Sequence, residues 1–506
     1  MKKEIRNIVI VGGGTAGWMT AAALSKVIGC QTHNITLVES EQIGTIGVGE
    51  ATIPMISMFN SVLGIDENEF MRETNGTFKL GIEFVNWRRL GHSYFHPFGS
   101  LGVDMDGISF SHFWLRWARQ GGALESAKFN AETEAARSLK FVRTAHETGP
   151  RLMPSINYAF QFDASLYAAY LRRFSEARGV VRVEGKVSRV SLNSENGYIE
   201  TLHLDDEREI TGDFFIDCSG FKGLLISEAL QVGFEDWSHW LPVNRAVAAP
   251  CESAGELLPY TRATARDAGW QWRIPLQHRT GNGHVYCNSF ISDDQAAETL
   301  LSNLDGQLLK QPKFISFTTG VRKKCWEKNC LAVGLASGFL EPLESTSIHL
   351  VQFTLSKLLA MFPRDEFNPH LLNRFNREME FEYNNIKDFL IAHYKITERE
   401  DTEFWRYVKH MPIPDSLQEK LDLFKHRGEV MARQYELFKE TSWFSVLTGQ
   451  GFMPDGYHPV ADSISEDELR LRLTKVRSGI QNRINTMPKH ADFIRANCMS
   501  PGSQYS

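Results

Sequence analysis

Three glycines constrain this chain most. Gly12, Gly14 and Gly17 form a G-x-G-x-x-G pattern directly after an apolar, β-branched run, Asn7 to Val11, and at the head of a helical pattern from Ala16 to Val27. The first glycine permits a tight turn, the second lets backbone approach a pyrophosphate, and the third lets helix and strand pack closely. Negative charge is favoured at the helix N-terminus, which brings Thr15 and Ala16 into the candidate cofactor set. A second strand, Asn34 to Val38, ends in Glu39. A carboxylate about twenty residues past the glycines can accept hydrogen bonds from ribose hydroxyls. The plain alternative is a glycine-rich structural turn. Strand, turn, helix and acid in this order favour a bound dinucleotide instead.

The alternating character continues to about Met361. Asp163 is placed to cap a helix running to about Ala177. Candidate strands follow at Val180 to Val190, Ile199 to Leu204 and Asp213 to Ile216. Another, Cys330 to Val333, leads through a glycine-rich turn into a helix from about Ser345 to Met361. Beyond Pro363 the pattern changes to long helical stretches, such as Leu371 to Ala392. These patterns predict an α/β protein: a Rossmann-like nucleotide-binding core assembled from separated segments, with additional β-sheet and a mainly helical C-terminal part.

Composition narrows the partners. A net charge of -6 offers no field that would gather phosphates, which argues against nucleic acid. No apolar run approaches the length of a membrane span. The opening MKKEIRNIVIVGGG is too short in its apolar part for a secretory signal and reads as the first strand. Seven scattered cysteines without a C-x-x-C pair indicate neither a zinc site nor a disulfide framework, which suits a reducing cytoplasm.

The glycine pattern serves NAD and FAD alike. Two later stretches, DFFIDCSG (Asp213 to Gly220) and GLASGFLEPLEST, resemble the additional FAD contacts of monooxygenase-type flavoproteins and add Leu335 and Ser337 to the cofactor set. Four more stretches resemble the flavin-dependent tryptophan halogenases. GVGEATIP (Gly47 to Pro54) is similar to the strap over the flavin in that family, with Gly49, Glu50 and Ala51 at the cofactor and Pro54 toward the substrate. GTFKLGIEFVNW (Gly76 to Trp87) contains Lys79, matching the catalytic lysine. WQWRIP (Trp270 to Pro275) fits the signature W-x-W-x-I-P, and FLEPLESTS (Phe339 to Ser347) contains Glu344, matching the catalytic glutamate. The resemblance runs in register from about Asn7 to Pro363. It implies an FAD-binding core of the flavin monooxygenase type over 1–362, with substrate elements at about 76–160 and 225–320, and a substrate and lid module over 363–506.

The chemistry of these residues is coherent with that resemblance. Reduced flavin, oxygen and chloride or bromide together yield hypohalous acid, a diffusible oxidant that must be aimed at one ring carbon. A lysine suits the task. Its ammonium can polarise hypohalous acid by hydrogen bonding, and a neutral amine, favoured by burial, can form a haloamine. The ordinary alternative for Lys79 is a solvated helix residue. Glu344 can stabilise the cationic ring intermediate and assist loss of its proton; the alternative is an acid that favours a helix start. That helix start offers backbone N–H groups at Thr346 and Ser347 as a halide site, although Ser347 stands where the family often has glycine.

By the same resemblance, Trp270 and Trp272 block the substrate from the flavin. Tryptophans two apart in a strand share a face, so a core role is the alternative. His96 and Phe98 match positions whose rings sandwich an indole. The segment His426 to Gly456 departs from the family: the paired tyrosines and the Phe-Trp pair that grip the tryptophan backbone are absent. Tyr435, Glu436 and Trp443 are the candidate remnants. The expectation is therefore an FADH2-dependent halogenase acting on indole or a substituted indole rather than free tryptophan. A single glycine fingerprint implies a separate NAD(P)H-dependent flavin reductase as partner, and a homodimer is compatible with the chain. The competing reading is a flavin-dependent aromatic hydroxylase.

Overall fold

The computed structural model describes residues 4–42, 49–122, 125–143, 155–501 and 503. The chain forms two compact units, each gathered from three segments: 1–75, 162–239 and 317–383 in the first, 76–161, 240–316 and 384–506 in the second.

The first unit is built on a six-stranded sheet in the order Trp326–Glu327, Cys330–Ala332, Phe214–Asp217, Asn7–Val11, Asn34–Glu39, Val181–Glu184. All neighbours run parallel except the first pair. Parallel strands covered on both faces need near-continuous apolar runs, and IVIV and FFI supply them. The helix Thr15–Val27 follows the first strand, and the helix Ala164–Glu176 packs against it. Asp163 caps the latter as expected, accepting from Ser165 N at 3.0 Å and Leu166 N at 3.3 Å. The candidate strand stretch Val180 to Val190 forms two strands, Val181–Glu184 and Val187–Leu192, divided at Gly185. The second of these leaves the parallel sheet and pairs with Ile199–Leu204 in a small antiparallel sheet. Ile199, Leu202 and Leu204 pack on Val9, Val11 and Phe215 in one apolar cluster.

The second unit is built on a seven-stranded sheet in the order Lys313–Ser316, Arg245–Ala248, Thr280–Tyr286, Gly269–Pro275, Thr261–Arg266, Gly81–Val85, Ser93–Pro97. It is antiparallel apart from one parallel pair, Thr261–Arg266 with Gly81–Val85. Among the described residues no strand lies beyond Phe339, and the remainder is helical. The helix Pro369–Lys395 begins in the first unit and ends in the second. No described helix is long and apolar enough to cross a membrane.

Candidate active site

In the first unit the glycine turn has the shape of an anion cradle. Gly12 takes φ +113°, a left-handed conformation that favours glycine, and its N–H donates to Val38 O at 2.8 Å. A Cβ on Gly12 would strike the Cys218 carbonyl oxygen, and one on Gly17 would strike the carbonyl of Gly12. Among the described residues a Cβ on Gly14 meets nothing within 4 Å, so the mouth of the turn is open there, where the helix presents its first N–H groups. Crowding at Gly12 and Gly17 beside open space at Gly14 fits a pyrophosphate. Gly334 (φ +68°) lies against Ala16, which brings the Leu335 and Ser337 turn to the same helix start. Ser337 Oγ is fixed by Gly334 O at 2.8 Å and the Tyr383 hydroxyl at 2.9 Å.

Glu39 ends its strand as expected, with its carboxylate lying over Gly13. It is not a solitary acid: it pairs with Arg182 and lies 3.7 Å from Arg172. Asp217, in DFFIDCSG, is fully buried and accepts from Ser219, Leu225 and Ile226 N–H groups at 3.0, 2.7 and 2.8 Å, so its role is to fold that turn. Of the strap, Gly47 and Val48 lie outside the described residues. Gly49 and Ala51 are buried, and burial pushes the Glu50 carboxyl up to about 7. Pro54 precedes the helix Met55–Leu63, also in the first unit.

Glu344, 1% exposed, closes a 3-10 turn, Pro342–Glu344. The helix that follows starts at Ser347 rather than near Ser345, because Ser345 adopts φ +60°, a left-handed conformation that no helix accepts. Such a residue outside glycine is stored strain, and strain of this kind clusters at functional sites. Thr346 is fully buried and its Oγ1 has no hydrogen-bond partner among the described residues. With Ser347 heading a 14-residue helix, an unpartnered hydroxyl and open N–H groups meet at one helix start.

Lys79, His96, Phe98, Trp270 and Trp272 all belong to the second unit. The solvated-helix alternative for Lys79 is overturned: it ends the strand Thr77–Lys79 and is 0% exposed. A strand of alternating Thr and Phe buries both faces here because Phe78 stacks on Phe141 at 4.0 Å, and Thr77 enters a polar relay. Thr77 Oγ1 donates to Pro275 O at 2.7 Å, Gln161 Nε2 donates to Thr77 Oγ1 at 3.0 Å, and Thr261 Oγ1 donates to Gln161 Oε1 at 3.0 Å. That relay fastens the lysine strand to the end of W-x-W-x-I-P. The Lys79 ammonium lies 5.2 Å from the Phe98 ring centroid, and Phe98 N donates to Leu80 O at 3.1 Å. Sequence reading missed the relay. Its signal was Gln161, a lone polar residue between two phenylalanines in AFQFD.

Trp270 and Trp272 share one face of Gly269–Pro275 with ring centroids 6.3 Å apart, and both are buried. A Cβ on Gly283, the cross-strand partner of Trp272, would enter the indole ring, so that glycine makes room for it. His96 is buried, 5.6 Å from the Phe389 ring and 6.2 Å from that of Phe438. Phe389 and Phe438 stack at 3.9 Å, and Trp443 meets Phe389 edge-on at 4.8 Å. Sequence reading missed both phenylalanines. Of the candidate remnants, Trp443 is buried, Tyr435 is exposed, and Glu436 is buried with its carboxylate 2.7 Å from Lys420 Nζ.

With this geometry in view, comparison with known proteins assigns the family. The tryptophan halogenase family model matches residues 7–466. The chain is 36% identical to tryptophan 6-halogenase ThaL of Streptomyces albogriseolus, covering 98% of this chain and 99% of that one. Among solved structures it is similar to Xcc4156, a flavin-dependent halogenase from Xanthomonas campestris, with a TM-score of 0.95 and 46% identity over 99% of both chains. It is also similar to BrvH, a flavin-dependent halogenase from Brevundimonas sp. BAL3, with a TM-score of 0.93 and 43% identity over 98% of this chain and 99% of that one. A turn shaped for a dinucleotide, a fully buried lysine and a buried glutamate thus sit in a chain related along nearly its whole length to these enzymes. This protein belongs to the tryptophan halogenase family and is a flavin-dependent halogenase.

Proposed function

We propose that this halogenase acts on indole, or a lightly substituted indole, in preference to free tryptophan. FADH2 from a separate NAD(P)H-dependent reductase supplies hypohalous acid from oxygen and chloride or bromide. Lys79 is the residue that handles this oxidant. Its N–H polarises hypohalous acid by donating a hydrogen bond, or its free amine exchanges one N–H for N–halogen and releases water. Glu344 stabilises the positive charge that develops on the ring and accepts the proton the ring loses. Thr346 and Ser347 hold the halide, Trp270 and Trp272 keep the ring from the flavin, and His96 and Phe98 stack on it. The helical run 363–506 carries the substrate lid.

The observation that carries the reading is the setting of Lys79: a fully buried lysine whose Nζ lies 5.2 Å from the ring centroid of Phe98, two residues beyond His96. The preference for a neutral ring is supported by Glu436, whose carboxylate is already occupied by Lys420. A zwitterion entering here would shed hydration without a matched partner, an unfavourable exchange. Without a grip on the amino-acid backbone, the electronics of indole direct halogen to C3.

The test is a side-by-side measurement of kcat/KM for indole and tryptophan with FAD, a flavin reductase, NADH and either halide, read by product mass. Indole should be favoured, by about tenfold or more. A preference for tryptophan, substituted at one benzene-ring carbon, would overturn the substrate assignment. A gain of one oxygen in place of halogen would identify a hydroxylase.

A further inference from the structure

Between the helices Asp415–Arg427 and Glu440–Gly449, residues 428–439 form neither helix nor strand. Their backbone bonds are local, as from Ala432 N to Val430 O and Glu436 N to Arg433 O. Met431, Arg433, Gln434 and Tyr435 are exposed, and then the chain turns inward and buries Glu436 and Phe438. An irregular segment that buries a carboxylate needs a partner for it. Lys420, on the preceding helix, provides one: its Nζ donates to Glu436 Oε2 at 2.7 Å. The same ammonium lies 4.9 Å from the ring centroid of Trp443, on the following helix. One lysine thus joins the segment and both of its flanking helices.

We propose that the Lys420–Glu436 pair is a latch that holds segment 428–439 against its two flanking helices and thereby positions Phe438 beside His96, making Lys420 a positioning residue for the aromatic substrate. This rests on the reading that His96 holds the ring. Phe438 follows Glu436 by two residues, stacks on Phe389 at 3.9 Å and stands 6.2 Å from His96. Displacing Glu436 therefore displaces a wall of the aromatic cluster. Because the pair is buried, with side-chain exposures of 15% for Lys420 and 3% for Glu436, salt screens it far less than a surface bridge. The latch also explains why a carboxylate near the cluster does not serve a substrate ammonium: Lys420 already occupies it.

Two measurements test the latch. The first is KM and kcat for indole; the second is the rate of trypsin cleavage after the exposed Arg433, which needs no substrate. Lys420→Met keeps the apolar stem and removes the charge. It should raise KM by roughly tenfold to a hundredfold through misplacement of the ring, leave kcat within about twofold, and speed the cleavage. Lys420→Arg should stay within about threefold of the wild type, since it preserves the charge. The charge-swapped pair, Lys420→Glu with Glu436→Lys, should recover KM and protection together. A Lys420→Met protein with wild-type KM overturns the proposal, as does a loss confined to kcat or cleavage at the wild-type rate. If Lys420→Met fails to fold, the double variant Lys420→Met, Glu436→Gln also removes the carboxylate that Lys420 held, leaves the nearby buried Asp388 with Ser416 and Lys387, and is judged by the same outcomes. If the wild type does not turn over indole, the substrate reading fails. KM is then read on whichever arene is halogenated, and the trypsin measurement stands unchanged.

Discussion

The glycine turn of the first unit and the lysine strand of the second are both tightly packed, but they achieve function by opposite means. At Gly12 and Gly17 a single added carbon would collide with backbone, while at Gly14 it would meet open space. That region works through exposed N–H groups and missing side chains. Around Lys79 the working parts are side chains: a buried ammonium, the Phe98 ring near it, and the Thr77–Gln161–Thr261 relay that fastens the strand. With the roles proposed above, the contrast predicts that cofactor retention and halogen transfer are separable. Damage to the turn should appear as lost FAD, and damage to the lysine strand as lost turnover with FAD in place.

The sharpest attempt to break this contrast is Lys79→Ala. Product formation should fall by roughly a thousandfold or more, the scale of losing a positioned proton donor or nucleophile. FAD content and flavin oxidation should stay near wild type. Loss of FAD from this variant would mean that the two regions are not separable. Glu344→Gln is the second test, because Glu344 belongs to the first unit yet its proposed role is carried by its side chain. Turnover should fall by about a hundredfold, with FAD binding intact. A variant that sheds FAD would instead assign Glu344 to the helix start.

Smaller effects divide the glycine turn itself. Gly17→Ala forces a Cβ into the Gly12 carbonyl, and overpacking of this kind costs about 1–3 kcal/mol. Its melting temperature should drop and FAD should bind weakly, while each FAD-loaded molecule keeps its turnover. Gly14→Ala should melt within about two degrees of the wild type, since the new carbon meets no atom of the described residues. Its FAD dissociation constant should nevertheless rise, because the methyl group occupies the open mouth. Equal thermal loss in both variants would remove the distinction between packing glycine and binding glycine.

The last expected effect is one of pH, and it sharpens the side-chain half of the contrast. Glu132 is buried over Gly99, next to Phe98, and accepts from Asn157 N at 2.9 Å. Burial raises its carboxyl from an ordinary 4.5 to about 7. The folded state therefore holds a proton that the unfolded chain releases. The stability this group contributes is complete below 4.5 and is lost as pH rises through 7. Glu132→Gln should flatten the dependence of unfolding free energy on pH between those values, by up to about 1.4 kcal/mol per pH unit. An unchanged slope in urea titrations across that range would show that Glu132 stays ionised in the fold.

Much of the first unit was determined by sequence alone. The strand Asn7–Val11, the glycine spacing and the acid at Glu39 lie within forty residues of one another, and local rules of turn, cap and periodicity place them. Asp163 declared its helix for the same reason. Lys79 and Glu344 were legible as motif residues, but their burial was not, since a single lysine is ordinarily solvated and only packed neighbours can enclose it. Tertiary structure alone decided that Gln161 and Thr261, far apart in the chain, meet Thr77. It alone decided that the stacked Phe389 and Phe438 meet His96, and that Lys420 occupies the carboxylate of Glu436, one of the candidate remnants. Those pairings join residues from 16 to hundreds of positions apart, where no local periodicity carries information and only packing chooses the partner.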